Sequence, residues 1–148
     1  MADVQINTVL VCDDVRREVT GKDILIGVYA GDLNVASLPA NILLSIWVEM
    51  TAKKKEPQEI SLRIQVPNPD HKFEIKANFE APSPKTSFAI FTPKVPYPID
   101  RAGPLKVYAK LPGSDRFELI KTQQIKYIPP TDSRSQTNPS STASPPPS

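Results

Sequence analysis

The sequence predicts an all-β fold, an antiparallel sandwich of two sheets, and three observations carry that expectation. Short apolar segments recur along the chain with apolar and polar residues alternating. Turn-forming residues separate them at regular intervals, and no stretch carries a convincing helical period. About eight such segments follow one another.

The organising stretch runs from Asn7 to Leu33, NTVLVCDDVRREVTGKDILIGVYAGDL. Val9 and Val11 fall on one face of a strand, Leu10 and Cys12 on the other, so this strand is expected to be buried on both faces. The polar run Arg16, Arg17, Glu18 leads into Thr20-Gly21-Lys22-Asp23, where Gly21 supplies the positive φ of a tight hairpin turn. Ile24, Leu25, Ile26, Val28 and Tyr29 then form the return strand. Gly27 and Gly31 interrupt its regularity and predict a bulge or the close approach of a neighbouring backbone.

Val35 to Ala40 reads as a connection. In the next segment Ile42, Leu44, Ile46, Val48 and Met50 occupy one face, with Leu43, Ser45, Trp47, Glu49 and Thr51 on the other. A charged turn, Lys53-Lys54-Lys55-Glu56-Pro57, precedes the cleanest alternation in the chain: Ile60, Leu62, Ile64 and Val66 inward, Glu59, Ser61, Arg63 and Gln65 outward. After Pro67-Asn68-Pro69-Asp70 come Phe73, Ile75, Ala77 and Phe79, then a break at Ala81 to Lys85, then Phe88, Ile90 and Phe91. Pro93, Pro96 and Pro98 close that segment. Leu105, Val107, Ala109 and Leu111 form the seventh strand, and Phe117 to Tyr127 the eighth. The expected architecture is a two-sheet sandwich, immunoglobulin-like or C2-like.

A length of 148 residues fits one β-sandwich domain, 1–128, with a tail, 129–148. Six of the 17 prolines lie in that tail among serines and threonines, and it has no aromatic, leucine, isoleucine or valine. It cannot bury enough surface to offset its ordering entropy, so disorder is expected there. One cysteine excludes an internal disulfide and fits a reducing, cytoplasmic setting. The first residues lack a secretory signal pattern, and no apolar run is long enough to span a membrane. A net charge of +2 argues against a nucleic-acid or membrane partner.

The opening strand with its acidic pair, the Gly-Lys turn and the Ile-Gly-Val-Tyr strand (Asp13, Asp14, Gly21, Lys22, Ile26, Gly27, Val28, Tyr29) resemble a family of small uncharacterised bacterial all-β proteins. With the closing hairpin GPLKVYAKLPGSDRFELI, the resemblance extends over Asn7 to Ile128. It implies the all-β fold and supplies no activity, ligand or catalytic residue.

Chemistry-bearing residues are sparse. A nucleophilic cysteine needs a base and a lowered pKa. Cys12 instead lies in an apolar strand beside Asp13, about sixty residues from His71, the single histidine. One Cys and one His are too few for a zinc site, and no cofactor is implied. Asp13, Asp14, Asn68, Asp70, Asp100 and Asp115 could supply calcium ligands at one end of a sandwich, yet no loop has dense acidic spacing. Asp13 and Asp14 read instead as a strand end, one capping backbone N–H groups and the other pairing with Arg16 or Arg17. Lys53 to Lys55 read as a solvated turn without an aromatic platform. Pro93 to Pro98 reads either as a polyproline recognition segment or as an edge strand or crossover guarded by proline.

Leu43 and Trp47 share the face opposite Ile46 and Val48, and form the candidate partner-binding patch unless a neighbour covers them. The expected function is a non-enzymatic intracellular module that binds a protein partner. The alternative is a ligand- or calcium-binding sandwich working through the loops at one end.

Overall fold

In the computed structural model, residues 3–130 are described, and the tail from residue 131 onward lies outside them. Ten strands form two five-stranded sheets, with no helix among the described residues. The strands are β1 (Val4–Arg17), β2 (Asp23–Val28), β3 (Leu33–Val35), β4 (Ala40–Ala52), β5 (Gln58–Gln65), β6 (Lys72–Phe79), β7 (Ser87–Phe91), β8 (Val95–Ile99), β9 (Gly103–Lys110) and β10 (Glu118–Tyr127). The first sheet runs β2-β1-β4-β7, with β8 also paired to β4; the second runs β3-β10-β9-β5-β6. Every pairing is antiparallel except that of β3 with β10.

The two strands beyond the eight expected are β3 and β8. β3 has three residues, too few to display an alternation. β8 is the proline segment itself, VPYPI. N–H groups point alternately to the two edges of a strand, so Pro96 and Pro98 lack theirs on one edge while Val95, Tyr97 and Ile99 keep theirs on the other. Those three residues stand opposite Leu44, Ile42 and Ala40 of β4. The segment is therefore an edge strand whose outer side is guarded by proline.

Period-two alternation builds the core. Leu44, Ile46, Val48 and Met50 of β4 meet Ile60, Leu62 and Ile64 of β5 and Leu105 and Val107 of β9, all fully buried. Each such side chain contributes roughly 1.5–3 kcal/mol by leaving water. In β1 the alternation changes phase. A register shift between Ile6 and Thr8 marks a bulge at Asn7, so Val4 and Ile6 face the core before it and Val9 and Val11 after it.

β4 is long enough to hold two strands on one edge. β7 pairs with Trp47 to Thr51 and β8 with Ala40 to Leu44. In the gap, Thr92 replaces the ladder. Its Oγ1 accepts from the Ile46 N–H at 2.9 Å, and its own N–H donates to the Ile46 carbonyl at 2.9 Å.

Candidate functional site

The outer face of the first sheet brings the sequence-derived candidates together with residues that sequence reasoning left apart. Leu43 is 47% exposed, whereas Trp47 is half-buried. A sheet neighbour accounts for the difference. The indole Nε1–H of Trp47 donates to Asp23 Oδ2 at 3.0 Å. Asp23 begins β2, two strands away in the sheet order.

Arg17, at the end of β1, holds Asp23 in a two-pronged pair, Nε to Oδ1 at 2.8 Å and Nη2 to Oδ2 at 3.1 Å. The same Nη2 donates to the Ala89 carbonyl on β7 at 2.9 Å, and the guanidinium carbon lies 5.1 Å from the centre of the Phe91 ring. One end of the β1–β2 hairpin thus reaches across β4 to β7, and the first sheet curls around its own outer face. A cleft of about 820 Å³ remains there, lined in part by Arg17, Asp23, Leu25, Trp47, Glu49 and Ala89. Arg17 beside Asp23 holds that carboxyl below the usual carboxylate range, and the Trp47 N–H acts in the same direction.

Cys12 and Ser45 stand opposite each other on this outer face and are nonetheless buried. The thiol points at the Ser45 carbonyl, 3.5 Å away. Burial pushes the Cys12 pKa up; the Asp14 backbone N–H opposes this, while the charges of Asp13 and Asp14 add to it. These are the opposite of the conditions that make a cysteine nucleophilic. His71 lies in the turn before β6, in the other sheet.

Asp13 and Asp14 have separate partners. Asp14 takes both local roles: Oδ1 accepts from the Val15 N–H at 3.0 Å and Oδ2 pairs with Arg16 at 3.5 Å. Asp13 accepts a 2.6 Å bond from the Tyr29 hydroxyl. Burial, then this bond, pushes Tyr29 up to about 12. Asp13 also explains Gly27. At φ +66°, a side chain on residue 27 would meet the Asp13 carboxyl carbon at 2.8 Å, so the close approach is by a side chain rather than a backbone. A side chain on residue 31 would meet nothing within 4 Å, and the Gly31 carbonyl accepts from the Gln123 side-chain amide.

Asn68 and Asp100 do meet at one end of the sandwich, but the Asn68 amide donates to the carboxylate at 2.8 Å, and Arg101 pairs with it as well. Among the described residues no group of three or more His, Cys, Asp and Glu side chains is placed to hold a metal ion.

On the side away from the cleft, β2 is apolar and exposed. Ile24, Ile26 and Val28 of β2 are 45%, 42% and 42% exposed. They stand opposite Arg16, Asp14 and Cys12 of β1 and alternate along β2 with Asp23 and Leu25, which line the cleft beside Trp47. β2 is also the last strand of its sheet, so its outer backbone edge has no strand beside it among the described residues. The sequence displayed these aliphatic residues but not their exposure, because a strand apolar on consecutive positions looks like a buried one.

A family model described as a family of unknown function, DUF6941, matches residues 7–102. The chain belongs to that family. The matched segment contains the hairpin, the Trp47 cluster and all of β2 to β8, and ends before β9, short of the Ile128 reached by the sequence resemblance. No curated protein matches the chain. Among the described residues no helix is long and apolar enough to cross a membrane.

Proposed function

We propose that this DUF6941 member is a non-enzymatic, cytoplasmic interaction module that binds a protein partner through the exposed side of β2, with Leu43 of β4 as a separate exposed contact. The observation that carries the reading is the aliphatic row Ile24, Ile26 and Val28, exposed on an edge strand. From Ile24 to Ala30 this edge has no charge and no proline. Of the other edges, β8 has its prolines, β6 exposed Lys72, Glu74 and Lys76, and β3 its brevity, while β7 has its Ala89 carbonyl taken by Arg17. An unguarded edge with an exposed aliphatic row is the arrangement that strand addition by a partner uses. Leu43, exposed on β4, is a second contact in this reading. Trp47 supports the β2 surface from behind, by fixing the hairpin through Asp23.

The finer fold reading, immunoglobulin-like or C2-like, draws support from the chain's repeated crossings between sheets, after β2, β3, β4, β6 and β8.

A photo-crosslinking phenylalanine analogue at Ile26 tests the binding surface. The expected result is a discrete adduct with one protein, which purified wild-type chain also binds. Ile26→Asp should then lose at least tenfold in affinity with its melting temperature unchanged. An equal adduct from exposed Thr122, on β10 of the other sheet, or wild-type affinity in Ile26→Asp would overturn the reading.

A further inference from the structure

The second sheet presents a different chemistry on its outer face. Register places its outward side chains in three rows across β9, β5 and β6. Lys106, Gln65 and Lys72 form the first; Tyr108, Arg63 and Glu74 the second; Lys110, Ser61 and Lys76 the third. Four lysines therefore stand at the corners of a rectangle. Its sides are about 13 Å along the strands and about 10 Å across them, from four residue steps and two strand spacings.

The opposing charge on this face is small. Glu74 is taken by Arg63, with bonds of 2.9 and 2.6 Å, which leaves Glu59 on the rim. Arg63 and Lys110 are held over the Phe117 ring, 3.9 and 5.2 Å from its centre. Lys72, Lys76 and Lys106 make no ion pair or hydrogen bond with another described side chain. Half-buried Tyr108 stands in the middle row, and its ring has no aromatic or cationic partner among the described residues.

We propose that this face binds a single-stranded polynucleotide, with the lysines on phosphates and Tyr108 beneath an unpaired base. Charge complementarity selects a polyanion. Lysine is a point-charge binder of phosphate and is depleted from the cores of protein interfaces, which favours phosphate over an acidic protein. A flat sheet does not enter a duplex groove, whereas splayed bases stack on sheet-borne rings. The net charge of +2 conceals this surface because the cations are gathered from three strands far apart in sequence.

The test is fluorescence anisotropy of the full chain with labelled 20-mers of oligouridylate and oligothymidylate, with polyglutamate as the competing class. Saturable binding to either oligonucleotide is expected. Four neutralised phosphates give a slope of log K against log salt of about −3, or a loss of roughly 50-fold between 50 and 200 mM salt. Lys106→Glu with Lys110→Glu, and independently Lys72→Glu with Lys76→Glu, should each weaken binding at least tenfold while melting temperatures hold. Tyr108→Ala should weaken it about tenfold at the higher salt, where stacking is the larger share. Lys54→Glu with Lys55→Glu serves as the control of equal charge and should stay within about threefold. An equal loss in that control, no saturable oligonucleotide binding, or tighter binding of polyglutamate through the same lysines would overturn the proposal.

Discussion

Trp47 and Asp23 are joined by a 3.0 Å hydrogen bond that ties the middle of β4 to the start of β2, with Arg17 completing the link to Phe91 on β7. This bond fixes the curl of the first sheet, and with it the position of the apolar β2 surface. Asp23 is well placed for the role because its side chain is only 9% exposed while both of its partners are donors.

Asp23→Asn should destabilise the fold by about 2 kcal/mol, the range for hydrogen bonds to a charged group. The effect should depend on pH. The folded-state pKa of Asp23 is lowered, so the unfolded chain binds more protons at acid pH. The carboxylate's contribution is complete above its unfolded pKa and disappears as pH falls through the folded one. Urea unfolding of both proteins between pH 7 and pH 3 should show the gap closing below about pH 4.

Gly27→Ala should cost about 1–3 kcal/mol, from backbone strain at φ +66° together with the clash against Asp13. Asp13→Ala in the same chain should recover the clash and leave the strain. A double-mutant cycle by chemical denaturation is expected to give a favourable coupling between the two substitutions. Strict additivity would show that Asp13 does not lie across residue 27.

Tyr97 offers a test of opposite sign. It is buried in β8 with its ring edge-on to Phe73, and its hydroxyl has no hydrogen-bond partner among the described residues. Burial alone pushes its pKa up to about 12. Tyr97→Phe should leave stability unchanged or raise it by up to about 1 kcal/mol, since an unsatisfied buried polar group is removed. In an alkaline absorbance titration, this substitution should remove one of the late-titrating phenols.

Leu43 and Leu44 are neighbours on opposite faces of β4, one exposed and one fully buried. Leu44→Ala should cost about 2–5 kcal/mol and Leu43→Ala no more than about 0.5 kcal/mol. Thermal melts of the two variants measure the contrast. Similar losses would mean that Leu43 is covered.

Cys12 should resist thiol reagents in the native state, since it is buried and its pKa is raised. Labelling with a chromogenic disulfide should proceed at the rate of unfolding and become immediate in denaturing urea.

The faces of β4, β5, β6 and β9 were legible because a strand's alternation is local: residue i and residue i+2 share a side whatever lies beside them. Ile46, Leu62 and Val107 could be assigned to the core on that ground, and the prolines and glycines marked the breaks between strands. Two kinds of element escaped. β3 has too few residues to show a period, and β8 hides its pairing behind prolines that bar only one of its edges. The phase change at Asn7 was likewise invisible, since a bulge adds a residue without leaving a composition of its own.

By itself, then, the order of residues determined an all-β chain, which side chains of β4, β5, β6 and β9 face its interior, and the membership that the hairpin signature carries. Which strand lies beside which was decided by tertiary pairing over separations of tens of residues. That pairing set Asp23 over Trp47, exposed Ile24 and Ile26 instead of burying them, and gathered Lys72 and Lys106 onto one face. The physical reason is that alternation depends on the geometry of a single strand, whereas exposure and charge density depend on the neighbours a strand acquires.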